Sequence, residues 1–482
     1  MSVLLQINPG LVLIVFGLIA AVTPVKRVRQ GLALAAPILG LFLLTSADTE
    51  TTLASASVLG LDLILYRVDS LSFIFGLAFL IAALLNAIYA LHQDDAVQDS
   101  SALVYSGSAV AAVFVGDLMS LFVFWELTAV SSVFLILKSG TRAAYGASMR
   151  YLAIQILSGV LLLNGAAYYF KSSGTMAFEA FTSLQDPGAL LILIAFGIKA
   201  AFPLLHNWLQ DSYPKATIVG AVVLSAFTTK LAVYALARLF PGFEILVWIG
   251  AIMTVFPVFF AVVENDLRKV LAYSLNNQVG FMVCAIGVAK VGTEYGALAL
   301  NGAAAHAFAH IIYKGLLFMS MGAVLYRTGT TKASELGGLY RSMPWTALFC
   351  LIGAASISAF PLFSGFVAKS LTMSAVAGAH YYVAWGMLLF ASAGVLEHSG
   401  IKIPYFAFFG HDSGKRVEEA PFNMLLAMGL AAFICIFVGL PTMAGGALGY
   451  DVLYSMLPNC MSASCQTASG APYVSYEPYT AD

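Results

Sequence analysis

Ser225-Ala-Phe-Thr-Thr-Lys230-Leu-Ala-Val-Tyr234 sets a lysine inside an apolar run that extends from about residue 216 to 240. A run of that length crosses the hydrocarbon core as one helix. A charge near its centre costs roughly 2.5–3.5 kcal/mol on insertion scales, so its presence asks for a function. A lysine withdrawn from water becomes a group that exchanges protons rather than a fixed cation. The same anomaly recurs along the chain at Glu126, Lys199, His306, His310, Lys314 and Lys369.

Composition agrees with a membrane protein. Of 482 residues, 60% are hydrophobic and 10% charged, about half the charged share of a soluble domain. The net charge of −1 offers no basic surface for nucleic acid. The first apolar stretch runs into Lys26-Arg27-Val28-Arg29 with no small-residue cleavage site, so it reads as a transmembrane helix rather than a signal peptide. The expected fold is an all-α polytopic bundle of about 14 transmembrane helices. They are placed near 10–25, 30–47, 69–91, 100–116, 117–138, 147–171, 188–209, 216–240, 243–263, 268–289, 296–325, 344–377, 379–397 and 420–446. The segment 344–377 is too long for one span, and Phe360-Pro-Leu-Phe-Ser-Gly365 interrupts it. Alternate loops carry most of the basic residues and the outward loop 47–69 is mostly acidic, which places the N-terminus outside a plasma membrane by the positive-inside rule; the acidic inward loop 92–99 runs against it. Cys460 and Cys465 then fall in an outward tail where a disulfide is permitted, whereas Cys284, Cys350 and Cys435 read as buried apolar residues.

The charged positions differ in how strongly they point to function. Glu126 lies about ten residues into its helix, and Lys199 is the available partner type. Pro203, four residues after Lys199, frees a backbone carbonyl where the helix could hydrate or flex. His306, His310 and Lys314 follow at four-residue steps, which puts them on one helical face, each roughly 6 Å from the next. Histidine titrates near neutrality, so this file suits proton transfer. A zinc site is the competing reading, but the carboxylate of a His-Glu-x-x-His motif is missing, and no metal is expected. Lys369 follows the break at Pro361, where unpaired backbone groups can bind water or an ion. Asp266, in Glu264-Asn-Asp-Leu-Arg-Lys269, reads as a solvated turn residue.

Five stretches occur in order: Trp125-Glu-Leu-Thr128, Pro203-Leu-Leu-His-Asn-Trp-Leu-Gln-Asp211, Asn265-Asp-Leu-Arg-Lys-Val-Leu-Ala-Tyr-Ser274, His306–Lys314 and Phe363-Ser-Gly-Phe-Val-Ala-Lys369. Over roughly residues 60–440 the chain resembles the antiporter-like subunits of respiratory complex I, membrane-bound hydrogenases and Mrp sodium/proton antiporters. It is most similar to the D-type subunit of the Mrp antiporters, through Glu264-Asn-Asp266, Ser274-Leu-Asn-Asn-Gln278 and Ile401-Lys-Ile-Pro-Tyr-Phe-Ala-Phe-Phe-Gly410. The resemblance implies two inverted five-helix repeats, each with a broken helix. Residues 1–99 would hold helices 1–3, 100–242 the first repeat, 243–400 the second, and 401–482 a last helix and tail. It also implies roles: Glu126 pairs with Lys199 and modulates its proton affinity, Lys230 is the central carrier, His306 and His310 form the link across the protein, and Lys369 is the terminal gate. Lys314 matches a lysine that some members carry. Two departures stand out. Family members often read Trp-Leu-Pro-Asp-Ala-His-Pro-Ala-Ala-Pro where this chain has Trp208-Leu-Gln-Asp-Ser-Tyr-Pro-Lys-Ala-Thr217, and related sequences commonly continue beyond Asp482 into another apolar helix.

The expected function is proton translocation within a multisubunit membrane complex, as Mrp-type sodium/proton antiport. The expected partners are other membrane subunits, protons, sodium and the lipid bilayer. No haem, flavin, iron–sulfur or quinone motif is present in the sequence, so no cofactor is expected and the chain reads as a transporter subunit rather than an enzyme. Two alternatives remain open at this point: a pump subunit of a complex I-like or hydrogenase-like redox enzyme, and a membrane subunit for inorganic-carbon uptake.

Overall fold

The computed structural model describes residues 6–49, 51–58, 60–442, 448–459, 461 and 476–479. Cys460 and Cys465 lie outside the described residues. The chain forms two compact units, Met1–Phe240 and Pro241–Asp482.

The first unit opens with α1 (Pro9–Val22) and α2 (Lys26–Thr45). A hairpin follows, β1 (Thr51–Val58) and β2 (Leu61–Val68), antiparallel with Thr51 opposite Val68 and Val58 opposite Leu61. Gly60, at φ +80°, supplies the left-handed turn residue. This hairpin corrects the all-α expectation, which read 47–69 as an acidic loop. Its second strand docks on the following bundle: Ile64 donates to the Asp117 carboxylate at 2.9 Å and accepts from Gly116 at 2.9 Å.

Then come α3 (Ser70–Ala90), α4 (Ala96–Phe114), α5 (Leu118–Leu137), α6 (Arg142–Ser173), α7 (Pro187–Ala200), α8 (Asn207–Ser212), α9 (Ile218–Ala226) and α10 (Thr228–Leu239). Asp69, Asp95, Asp117 and Asp186 each cap a helix N-terminus by accepting from its first backbone N–H groups. The expected continuous helix 216–240 is interrupted at Phe227, between α9 and α10.

The second unit holds α11 (Glu244–Val263), α12 (Leu267–Val288), α13 (Glu294–Thr328), α14 (Pro344–Ile357), α15 (Ser364–Gly378) and α16 (Tyr382–Val395). A widened stretch with the short α17 (Lys402–Pro404) leads to α18 (Phe422–Phe437) and α19 (Tyr450–Tyr454). The helices α11 and α12 touch backbone to backbone. A Cβ on Gly250 would lie 2.3 Å from the Cys284 nitrogen, so only glycine permits the approach. Among the described residues, eight helices are long and apolar enough to cross a membrane, with α9 and α10 counted as one.

The two units repeat one succession of elements. Each has an aspartate-capped helix (α5, α12), a helix of more than thirty residues (α6, α13), and then a helix broken at Ala-Phe-Pro-Leu. These breaks are Ala201–Leu204 and Ala359–Leu362. Their first and last residues share left-handed φ: 63° and 70° in one, 56° and 73° in the other. Such non-glycine conformations cost about 1–3 kcal/mol each and persist where the surroundings hold them. The freed carbonyls find donors. Ile198 accepts from the Trp208 indole at 2.9 Å, and Ile357 from the Lys369 ammonium at 2.7 Å.

Candidate site: buried cations at interrupted helices

In the first unit, Lys199 occupies the last turn of α7 and is fully buried. Its ammonium donates to the Trp125 carbonyl at 2.6 Å and the Thr128 hydroxyl at 2.8 Å, and sits 4.3 Å from the Trp125 ring centroid. Trp125 is itself held, its indole donating to Ser158 at 3.0 Å. Glu126 is the next residue on α5. Its carboxylate rests on Gly159 of α6, where a Cβ would fall 1.3 Å from Oε1. That buried oxygen has no hydrogen-bond partner. Glu126 and Lys199 interact electrostatically, but no ion pair within 4 Å joins them. Gly159→Ala is therefore expected to destabilise the protein by about 1–3 kcal/mol through overpacking. Melting temperature measures it, and Glu126→Ala in the same chain should restore stability by vacating the methyl's space.

A row of hydroxyls leads away from Lys199. Thr128 is followed one turn later by Ser132, whose hydroxyl meets the Tyr151 hydroxyl at 2.8 Å. Tyr151 and Tyr213 both face Thr228. Tyr105 lies 2.6 Å from the Thr228 hydroxyl and accepts its backbone N–H at 2.9 Å. That N–H needs an outside acceptor because the helix is interrupted at Phe227. The same interruption frees the Ser225 carbonyl, which accepts from Lys230 at 2.5 Å. Lys230 is fully buried. At the end of α10, Arg238 grips Asp69 through two bonds of 2.7 and 2.8 Å and reaches the Tyr234 hydroxyl at 2.9 Å.

In the second unit, His306, His310 and Lys314 are fully buried along α13. The His306 Nε2 lies 3.1 Å from both the Gln278 carbonyl oxygen and the Tyr313 hydroxyl, and Tyr313 donates to Gln278 at 3.0 Å. The His310 ring packs edge-on against Tyr313 at 5.3 Å and against His306 at 6.3 Å. Lys369 stands 5.2 Å over the Phe281 ring, which lies 5.7 Å from His306. The Lys314 ammonium is 6.0 Å from the Phe318 ring. Lys199 and Lys230 thus lie buried beside helix interruptions in the first unit and Lys369 beside one in the second, whereas His306, His310 and Lys314 are buried within the unbroken α13 and Glu126 is half-buried. With the two Ala-Phe-Pro-Leu breaks superposed in sequence, Lys199 falls opposite Ile357, and Lys369 opposite Asp211. The charge sits before the break in one unit and after it in the other.

At the ends of the spans the charges are solvated pairs. Asp266 caps α12, and Asp211 pairs with Arg150 at 2.7 Å. Burial opposes ionisation of Glu264, but Lys269 at 2.6 Å and the Asp266 and Asn265 N–H groups hold its carboxyl below the usual range. Sequence reading missed Tyr105, Tyr151, Thr228, Gln278 and His398, all buried. A repeated Ala-Phe-Pro-Leu was the available signal for the two breaks. The tyrosines carry no local signal, since a lone tyrosine in an apolar helix resembles any packing residue.

Comparison with known proteins places these residues in a family. Residues 115–396 match the family described as NADH:quinone oxidoreductase/Mrp antiporter, TM. Hydrogenase-4 component B of Escherichia coli is 29% identical over 70% of this chain and 55% of its own length. The D-type subunit of the Na(+)/H(+) antiporter of Alkalihalophilus pseudofirmus is 34% identical over 64% of each. The chain thus spans less than two thirds of the length of these relatives. A chain in the structure of the Mrp complex from Dietzia sp. has the same fold, with a TM-score of 0.79 at 22% identity, covering 91% of this chain and 94% of that one.

Proposed function

We propose that this chain, which belongs to the NADH:quinone oxidoreductase/Mrp antiporter transmembrane family, moves protons as one subunit of a multisubunit complex, in exchange for sodium. The observation that carries this reading is the row of hydroxyls that runs from Lys199 by Thr128, Ser132, Tyr151 and Thr228 toward Lys230, with one helical turn between Thr128 and Ser132. Each hydroxyl can take a proton on one side and give its own on the other, and rotation of the hydroxyls afterwards restores the starting arrangement. The helix interruptions supply the polar backbone that a shifting ammonium needs inside the membrane. Glu126, seated on Gly159 outside ion-pair distance, tunes how firmly Lys199 holds its proton. In the second unit, His306, His310 and Lys314 carry the charge, and Lys369 is the gate. The chain is placed in the plasma membrane with its N-terminus outside, and no redox centre of its own is assigned to it.

The test uses the whole complex in vesicles carrying a pH gradient, with sodium addition as the trigger. Lys199→Ala is expected to slow the sodium-dependent collapse of the gradient at least about ten-fold, the scale of a positioned proton-transfer group. Collapse at the original rate would sink the reading. The similarity to hydrogenase-4 component B favours a second reading, a pump subunit of a redox enzyme. Purification of the complex decides between them, since flavin or iron–sulfur absorbance in it belongs to the second reading.

A further inference from the structure

His398 is a fully buried histidine outside the set assigned above. It lies in a π-turn, Leu396–Ile401, where the Lys402 N–H reaches back five residues to the Glu397 carbonyl. Such turns insert a residue into a helix and gather at functional sites. This one packs against the break between α14 and α15, since a Cβ on Gly400 would lie 2.2 Å from the Ser358 hydroxyl. The His398 Nδ1 is 2.8 Å from the Ser399 hydroxyl, and Ser399 donates to Ser274 of α12 at 2.9 Å. Because the Ser399 hydrogen is committed to Ser274, Nδ1 must donate, which leaves Nε2 as the lone-pair nitrogen. Nε2 is buried and has no hydrogen-bond partner. Ser274 and Gln278 are one turn apart on α12, and Gln278 holds both His306 and Tyr313.

The turn lies at one particular end of the unit. Lys402, four residues on, donates to the carbonyls of Ala261, Val262 and Glu264 at 3.0, 2.6 and 2.7 Å, at the end of α11. Lys314, Lys369 and Lys402 all act on the His398 ring electrostatically, and Glu397 adjoins it.

We infer that His398 is a proton-carrying residue of the second unit, joining the end of the bundle at Glu264 and Lys402 to His306 through Ser399, Ser274 and a water, with Gln278 orienting His306. The inference rests on the proton-transfer reading above. A proton binds at Nε2, and the one on Nδ1 passes to Ser399 as the Ser399 hydrogen passes to Ser274. Ser274 in turn gives its own hydrogen to a water lodged in the roughly 6 Å turn between Ser274 and Gln278, and that water passes a proton on to His306, which Gln278 holds in place without carrying the proton itself. Rotation of the ring and hydroxyls resets the chain, and the sequence runs equally in reverse.

The experiment compares the intact complex carrying His398→Gln or Lys230→Ala in vesicles. His398→Gln keeps the bulk and a hydrogen-bonding end but cannot carry a proton, so flux should fall at least about ten-fold at unchanged assembly. Wild-type flux in His398→Gln overturns the assignment. If Lys230→Ala is equally active, the functional reading falls with it; if Lys230→Ala is inactive, the His398 assignment falls alone. Should His398→Gln fail to assemble, Ser399→Ala removes one hydroxyl and adds no bulk. It is expected to slow flux about five-fold or more, and an unchanged rate overturns the assignment.

Discussion

Lys230→Ala is expected to lower proton flux at least about 100-fold while leaving the complex assembled. Lys230 is fully buried, and its ammonium donates to the Ser225 carbonyl of its own interrupted helix. Among the described residues it has no carboxylate within ion-pair distance. Removing an unpaired buried cation relieves a desolvation cost, so stability should hold or rise. Lys230→Arg separates proton exchange from a mere need for charge. Arginine keeps the cation but does not release its proton, so it too should be inactive. Dye-reported gradient collapse measures both variants, and an active arginine variant would contradict proton exchange at this position.

Asp69→Asn is expected to cost about 3 kcal/mol of stability, the low end for breaking a buried ion pair. Asp69 does two jobs. It caps α3 through the Ser72 N–H, and it holds Arg238 by two bonds across 169 residues of chain. Asparagine keeps the cap, because its carbonyl oxygen still accepts. The ion pairs are what is lost, the close one to Arg238 and a looser one to Arg67 at 3.8 Å, leaving the Arg238 guanidinium inside with Tyr234 as a remaining neutral partner. With 15% and 17% of the two side chains exposed, solvent recovers part of the loss, which is why the low end is expected. The melting temperature of the detergent-solubilised complex measures the effect. Arg238→Gln in the Asp69→Asn background should cost much less than it does alone, because the partner is already gone.

Much of the helical content was legible because hydropathy is a local property. The runs that gave 268–289 and 296–325 emerge as α12 and α13, displaced by a residue or a few at each end. Pro361 and Pro203 announced breaks for an equally local reason, since proline cannot donate to the helix ladder. The break at Phe227 had no such marker. It is held by the Tyr105 hydroxyl taking the Thr228 N–H, an acceptor 123 residues away. The hairpin was missed because residues 47–69 were read by charge, although β2 shows its buried side at Tyr66 and Val68.

By itself the sequence determined that this is a membrane protein and which residues carry charge inside it, because transfer cost and helical spacing depend only on residue type and order. The four-residue steps of His306, His310 and Lys314 put them on one face before any tertiary contact is known. Only the tertiary structure decided what each charge touches. It seats Glu126 on Gly159, gives the Lys199 ammonium to Trp125 and Thr128, and hangs Ser399, the partner of His398, from Ser274 across 125 residues. Hydrogen bonds are short and directional, so which donor meets which acceptor is settled by how the helices pack, and packing is a property of the whole chain.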